Sequence, residues 1–294
     1  MSNISFSPLI VGCMRLGVWG AQMSTSEYEK FIDACLDMGL KDFDHADIYG
    51  HYTTEAEFGE VIKKRPDLKS KIQVTTKCGI KLLTPNRPEI KVHSYDSTKD
   101  YIIWSAENSL KLLGLDRIDL LLIHRPDYLM DPAEIAEAFE QLKAEGKVKH
   151  FGVSNFTTSQ FELLNSYTPL VTNQVEVSLL HRDAFDNGTL DQCLRHKIQP
   201  TAWSPFGGGR VFNDSNDEQI IRVRQKSEEI AERYDTTIDQ ILLAWIMKHP
   251  SNIIPVLGSS KTARIASALE ATQITLTHEE WYDLWQAATG VDIP

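Results

Sequence analysis

Phe43-Asp44-His45-Ala46-Asp47-Ile48-Tyr49-Gly50 is the stretch on which the reading of this chain turns. It follows Leu40-Lys41-Asp42, where a short strand would end, and it crowds an acid, a phenol and a glycine into one βα junction. In parallel α/β proteins chemistry collects at such junctions, at the carboxyl ends of the strands. On both sides of it, short β-rich runs alternate with amphipathic helical segments.

Leu9–Cys13 reads as the first strand. Ser26–Met38 reads as a helix, with Tyr28, Phe31, Ile32, Cys35 and Leu36 at three- and four-residue spacings, stopped by Gly39. Lys41–Asp44 is the second strand. Thr54–Lys64 is the second helix, with Thr54 as its N-cap and Glu55 and Glu57 in its positive first turn. Lys71–Lys77 is the third strand. The polar, Pro-rich Leu83–Asp96 that follows exceeds the usual ~4–6 residue connection and predicts a lid or binding loop.

Ser97–Leu113 is a helix ended by Gly114, and Ile118–Ile123, apolar except for Asp119, reads as a strand buried on both faces. A helix runs from Asp131-Pro132 to Glu145, before Gly146. Strands at His150–Ser154, Val171–Val177, Pro200–Trp203 and Ile253–Leu257 alternate with helices at Thr157–Tyr167, Gly188–His196, Asp217–Tyr234 and Asp239–Lys248. Ser204–Asn216 is a long Gly-rich loop, and helices at Lys261–Glu270 and Thr277–Ala288 close the chain. Eight strand candidates, each followed by a helix, are most simply arranged as an α/β fold of the (β/α)8 TIM-barrel type. The length of 294 residues suits one such barrel, of roughly 250 residues plus insertions, and predicts a single domain over 1–294.

Composition narrows the function. A hydrophobic share of 42% and a charged share of 24% are those of an ordinary globular protein. The net charge of −11 repels phosphate backbones, so nucleic-acid binding is not expected. Cys13, Cys35, Cys78 and Cys193 show neither C-x-x-C nor zinc spacing and point to a reducing cytoplasm. No apolar run reaches the ~20 residues that span a bilayer, and MSNISFSPLIVG lacks a signal peptide's basic patch and apolar core. A cytoplasmic protein, monomeric and without a membrane partner, is the expectation. No metal-ligand cluster stands out.

Successive strand ends offer Asp44 with Tyr49, then Lys77, then His124. In a barrel these ends share one face. A phenol, with its ordinary pKa near 10, is a poor acid at neutral pH; a neighbouring ammonium favours the phenolate and lowers that value. Asp44 would keep a buried Lys77 charged, and a neutral His124 would hold a substrate oxygen. The set suits protonation of a carbonyl oxygen as hydride reaches the carbon. Lys77 as a Schiff-base nucleophile in a lyase is the alternative chemistry. Cys78, next to Lys77, reads as a bystander thiol.

Phe43-Asp44, Tyr49-Gly50, Thr76-Lys77, Leu121-Leu122-Ile123-His124-Arg125-Pro126 and Gly152-Val153-Ser154-Asn155-Phe156 together resemble the aldo-keto reductase family. The likeness runs from Gly12 to about Glu270. It implies a (β/α)8 barrel that binds NADP(H) without a Rossmann fingerprint, and the chain has neither G-x-G-x-x-G nor a P-loop. It implies Tyr49 as general acid tuned by Lys77 and Asp44, with His124 orienting a small-molecule carbonyl substrate. Ser154, Asn155 and Gln174 would hold the nicotinamide carboxamide, with Asp44 alongside. Trp203 would stack on the ring, where many members carry tyrosine.

Ser204, Pro205, Phe206, Gly207, Gly208 and Arg210 resemble the loop that closes over the pyrophosphate. Gly258, Ser259 and Arg264 resemble the 2′-phosphate site, where many members have a lysine in place of Gly258. Gly12, Met14 and Arg15 resemble cofactor or substrate contacts in one branch of the family. The family also includes channel-associated subunits, so a cofactor-binding regulatory subunit with little turnover is the second reading.

Overall fold

The computed structural model describes residues 4–213 and 215–293. Met1–Asn3, Asp214 and Pro294 lie outside the described residues, and with them the two ends of the expected 1–294 domain and one position of the Gly-rich loop. Among the described residues there are ten strands: β1 (Ile10–Gly12), β2 (Asp42–Asp44), β3 (Gln73–Cys78), β4 (Ile80–Lys81), β5 (Ser94–Tyr95), β6 (Ile118–Ile123), β7 (Val148–Ser154), β8 (Asn173–Glu176), β9 (Thr201–Trp203) and β10 (Ile254–Leu257). Eight of them form a closed barrel in the order β1-β10-β9-β8-β7-β6-β3-β2, and β4 and β5 pair by themselves. The barrel strands pair in parallel, as in β2 on β3 with Phe43 opposite Val74 and β3 on β6 with Thr76 opposite Leu121. This is the (β/α)8 fold that the strand count predicts.

Two compact units divide the chain. The first runs up to Gln174 and takes in Gly258–Thr262. Its helices start where their caps allow. Ser24 caps the helix Thr25–Asp37 in a reciprocal capping box with Glu27, and Thr157 does the same with Gln160 for Thr158–Asn165. Asp131 accepts from Ala133 N ahead of Pro132. The helix Thr54–Lys64 differs from expectation: its N-cap residue is Thr53, not Thr54. The Thr53 hydroxyl donates to Gly50 O at 2.8 Å, so the preceding turn has already claimed it. That helix lies hard against Lys99–Leu113, since a Cβ added to Gly59 would stand 1.8 Å from Leu112 O.

The stretch expected as one irregular loop is a hairpin excursion. β5 returns antiparallel to β4, with Ile80 opposite Tyr95. Two-residue strands leave too little pattern to read in advance. In the barrel wall, Thr76 points outward from β3 and donates to Glu55 Oε1 at 2.6 Å, while Ser109 donates to Glu55 Oε2 at 3.0 Å. Glu55 is buried, and burial outweighs these hydroxyls and pushes its carboxyl up to about 7.

The second unit comprises Val175–Leu257 and the residues from Ala263 onward. Its core includes Trp245 and Trp281 stacked at 5.0 Å, each indole N–H donating to the other residue's backbone carbonyl. Leu242, Ile246 and Leu284 fill in around them. A short helix at Asp183–Asp186 has no counterpart in the sequence reading. The Gly-rich loop is partly ordered as a 3-10 turn, Gly207–Phe212, with Gly208 and Gly209 at positive φ. Among the described residues no helix is long and apolar enough to cross a membrane, no metal-ligand cluster occurs, and all four cysteines are free and buried.

The Glu55 carboxyl makes stability depend on pH. Its folded pKa lies above the ordinary 4.5, so its contribution is whole below that value and is lost as pH rises through about 7. Glu55→Gln is expected to lie closest to wild type in acid and to be more stable by up to about 3 kcal/mol above neutrality. Thermal melts across this range check it; an offset independent of pH would refute it.

Candidate active site

Asp44, Lys77 and Ser154 lie at or near the carboxyl ends of barrel strands, Tyr49, His124 and Asn155 lie in the loops just past such ends, and backbone hydrogen bonds carry the strand pairing into those loops. Beyond β2, His45 N donates to Thr75 O at 2.8 Å and Asp47 N to Lys77 O at 3.1 Å. The chain stays zipped to β3 until Tyr49, whose amide donates to Ala46 O and opens the short helical turn Tyr49–Tyr52. Beyond β6, His124 N donates to Cys78 O at 2.8 Å. Beyond β7, Asn155 N donates to Gln174 O at 2.9 Å.

These bonds bring four side chains together. The Lys77 ammonium donates to Asp44 Oδ2 at 2.7 Å, to His45 O at 2.7 Å and to the Tyr49 hydroxyl oxygen at 3.0 Å. Its three N–H bonds are thereby all used. The Tyr49 and His124 rings meet edge to face, with centroids 6.1 Å apart. Gln174 Nε2 donates to the other Asp44 oxygen at 3.0 Å, so both carboxylate oxygens are held. Gln174 appears in the sequence reading as a cofactor contact only. Its grip on Asp44 joins residues 130 apart and has no local signal.

The electrostatics differ from expectation in one respect. Lys77 is fully buried, which favours the neutral amine, but Asp44 and Tyr49 outweigh burial and hold its pKa above the ordinary lysine value. Tyr49 is pushed up as well. Burial raises it and Lys77 pulls it down, and burial prevails. The expected acidic phenol is therefore, in the protein alone, a neutral phenol whose ionised form is cushioned by an adjacent ammonium. Burial, together with Lys77 and Arg125, holds His124 well below the ordinary histidine value, so its imidazole is neutral. Its Nδ1 is buried without a hydrogen bond. The Cys78 thiol, buried, is pushed well above its ordinary value and has no nucleophilic character.

The remaining candidates fall into local groups. Ser154 Oγ donates to Gln174 O at 2.9 Å and accepts from Asn155 Nδ2 at 2.8 Å, and Asn155 has φ 60°. Gly12 ends β1 and is buried, whereas Met14 and Arg15 are exposed in the turn after it. Trp203 ends β9, and Ser204 follows at φ 51°. Phe206 packs on Phe212 at 5.3 Å, and Arg210 Nε donates to Gly207 O at 3.0 Å. Gly208, Gly209 and Gly258 have nothing within 4 Å of an added Cβ, which leaves their backbone approachable. Ser259 Oγ accepts from Lys261 N at 3.2 Å, and Arg264 is exposed in the first turn of the helix Thr262–Glu270. Trp19, which the sequence reading passed over, packs 6.3 Å from Tyr49 and 5.1 Å from His51.

The family model described as "Aldo/keto reductase family" matches residues 8–288. The chain is 44% identical to the uncharacterized oxidoreductase YcsN of Bacillus subtilis, covering 99% of this chain and 97% of that one. It is 39% identical to a 6-dehydroglucose reductase of Agrobacterium fabrum, covering 99% and 97%. Its fold superposes, at a TM-score of 0.79 and 26% identity, on the crystal structure of a thermostable aldo-keto reductase in complex with the inhibitor epalrestat, covering 98% of this chain and all of that one. A barrel, a buried Asp–Lys–Tyr cluster and a match over almost the whole length place this chain in the aldo/keto reductase family.

Proposed function

We propose that residues 1–294 act as one catalytic barrel that reduces aldehydes or ketones to alcohols with NADPH, using Tyr49 as the acid. One observation carries this: the Tyr49 oxygen lies 3.0 Å from a Lys77 ammonium that Asp44 keeps charged. With its oxygen accepting from Lys77, the phenol has its own proton free for another acceptor. Tyr49 gives that proton to the carbonyl oxygen, and the phenolate left behind is stabilised by Lys77. His124, neutral and edge-on to Tyr49, orients the carbonyl oxygen towards the phenol. When bound, NADPH supplies the hydride that reaches the carbonyl carbon.

The residues present fit that cofactor. Ser154, Asn155 and Gln174 form one hydrogen-bonded group suited to a carboxamide. Trp203 offers a face for a planar ring. The unobstructed backbone at Gly208 and Gly209, with Ser204, Pro205, Phe206, Gly207 and Arg210, suits a pyrophosphate. The open position at Gly258, with Ser259 and the exposed Arg264, suits a 2′-phosphate. Four free thiols and a net charge of −11 support a monomer acting on small carbonyl compounds in a reducing cytoplasm, away from nucleic acid and membrane.

The rival chemistry has less support. A Schiff base needs a neutral, mobile amine, and all three Lys77 N–H bonds are engaged. The complete cluster argues against a regulatory subunit with little turnover.

Tyr49→Phe is expected to lower kcat by about 10²–10⁴-fold while leaving NADPH binding within a few-fold of wild type. Equal loss of both would make Tyr49 a structural residue. Titration of tryptophan fluorescence should show NADPH binding more tightly than NADH, with the preference collapsing in Arg264→Ala. Equal affinities in wild type would reject the 2′-phosphate assignment.

A further inference from the structure

The turn that carries Tyr49 is backbone-strained. Gly50, His51 and Tyr52 follow it at φ 61°, 58° and 70°. Three successive residues occupy the left-handed region, and two of them carry a Cβ that disfavours it. Such a conformation persists only where surrounding contacts over-determine it.

Trp19 packs on His51 from the loop after β1, and the polar contacts come from the hairpin excursion of β4 and β5. The Tyr52 hydroxyl donates to Ile80 O at 3.2 Å and accepts from Leu82 N at 2.8 Å. Asn86 Nδ2 donates to His51 O at 2.9 Å. The Arg87 guanidinium sits between two rings, 4.7 Å from the centroid of Tyr52 and 4.9 Å from that of Trp104 on the helix Lys99–Leu113. An arginine stacked in this way is pinned by its planar face rather than by one ion pair. Its ion pair with Glu89 is long, at 3.9 Å, and Glu89 is exposed.

Resting on the reductase reading above, we infer that Arg87 and Tyr52 are positioning residues for Tyr49: the hairpin clamps the left-handed turn and thereby holds the phenol against Lys77. The clamp touches neither Lys77 nor Asp44, so its loss frees the phenol without dismantling the ion pair.

The test compares wild type with Arg87→Ala and Tyr52→Phe, using two readouts. Hydrogen exchange by mass spectrometry follows the amides of Tyr52 and Thr53, which donate to Ile48 O and Tyr49 O. Steady-state kinetics with an aldehyde panel give kcat, with NADPH affinity and Tm measured alongside. Both variants should exchange faster across Tyr49–Thr53 and lose kcat by about tenfold or more, since small misplacement of a reacting group costs up to ~10²-fold. NADPH affinity and Tm should stay near wild type. Free guanidinium ion should restore part of the rate to Arg87→Ala and none to Tyr52→Phe.

Unchanged exchange overturns the clamp. Faster exchange with wild-type kcat overturns the positioning role, and so does a kcat loss that merely tracks lost NADPH binding or lost folded protein. A wild type that turns over no carbonyl substrate refutes the reductase reading instead, and the clamp then stands or falls on the exchange data alone.

Discussion

A single buried ammonium organises this protein. Lys77 has no exposure to solvent, and an uncompensated charge there would be prohibitive or would neutralise itself. It is tolerated because each of its three protons meets an oxygen: a carboxylate, a backbone carbonyl and a phenol. That requirement fixes where Asp44, His45 and Tyr49 must lie. Gln174 and the Ser154–Asn155 pair then follow, because Asp44's second oxygen is held by Gln174, whose backbone carbonyl Ser154 engages.

The barrel meets the requirement by running its strand pairing past the strands. The bonds from His45 to Thr75, from Asp47 to Lys77 and from His124 to Cys78 extend two ladders, β2 on β3 and β6 on β3, into what would otherwise be loop. These side chains are therefore tied to the strands by backbone hydrogen bonds. Fixed placement matters for Tyr49, whose phenol is not acidic by itself in this setting: burial raises its pKa, and the adjacent Lys77 ammonium partly counters that rise. The outer wall carries a second polar layer, in which Glu55 bridges Thr76 and Ser109 directly behind the strand that supplies Lys77.

Much of this was legible beforehand, for identifiable reasons. Ile118–Ile123 reads as a buried strand with its bounds unchanged, because apart from Asp119 near its start the run is apolar on both faces, which suits the barrel of an α/β protein. Helix ends at Asp131 and Thr157 follow from capping chemistry. Two-residue strands such as β4 and β5 and the four-residue helix Asp183–Asp186 are too short to show a period. The N-cap falls on Thr53 rather than Thr54 because adjacent threonines are equivalent in sequence, and neither hydroxyl caps the helix, that of Thr53 donating back to Gly50 O.

What the order of residues determined alone was the alternation of strand and helix and the chemistry at the strand ends, since both depend on side-chain type and near-neighbour spacing. Asp44, Tyr49, Lys77 and His124 belong to that part. Tertiary structure alone decided which partners those groups found. The pairing of Gln174 with Asp44, the pinning of Arg87 between Tyr52 and Trp104, and the balance that leaves Tyr49 a raised rather than a lowered phenol all depend on burial and on contacts between residues distant in the chain. Desolvation and long-range hydrogen bonding are properties of a packed arrangement, and no local window of sequence contains them.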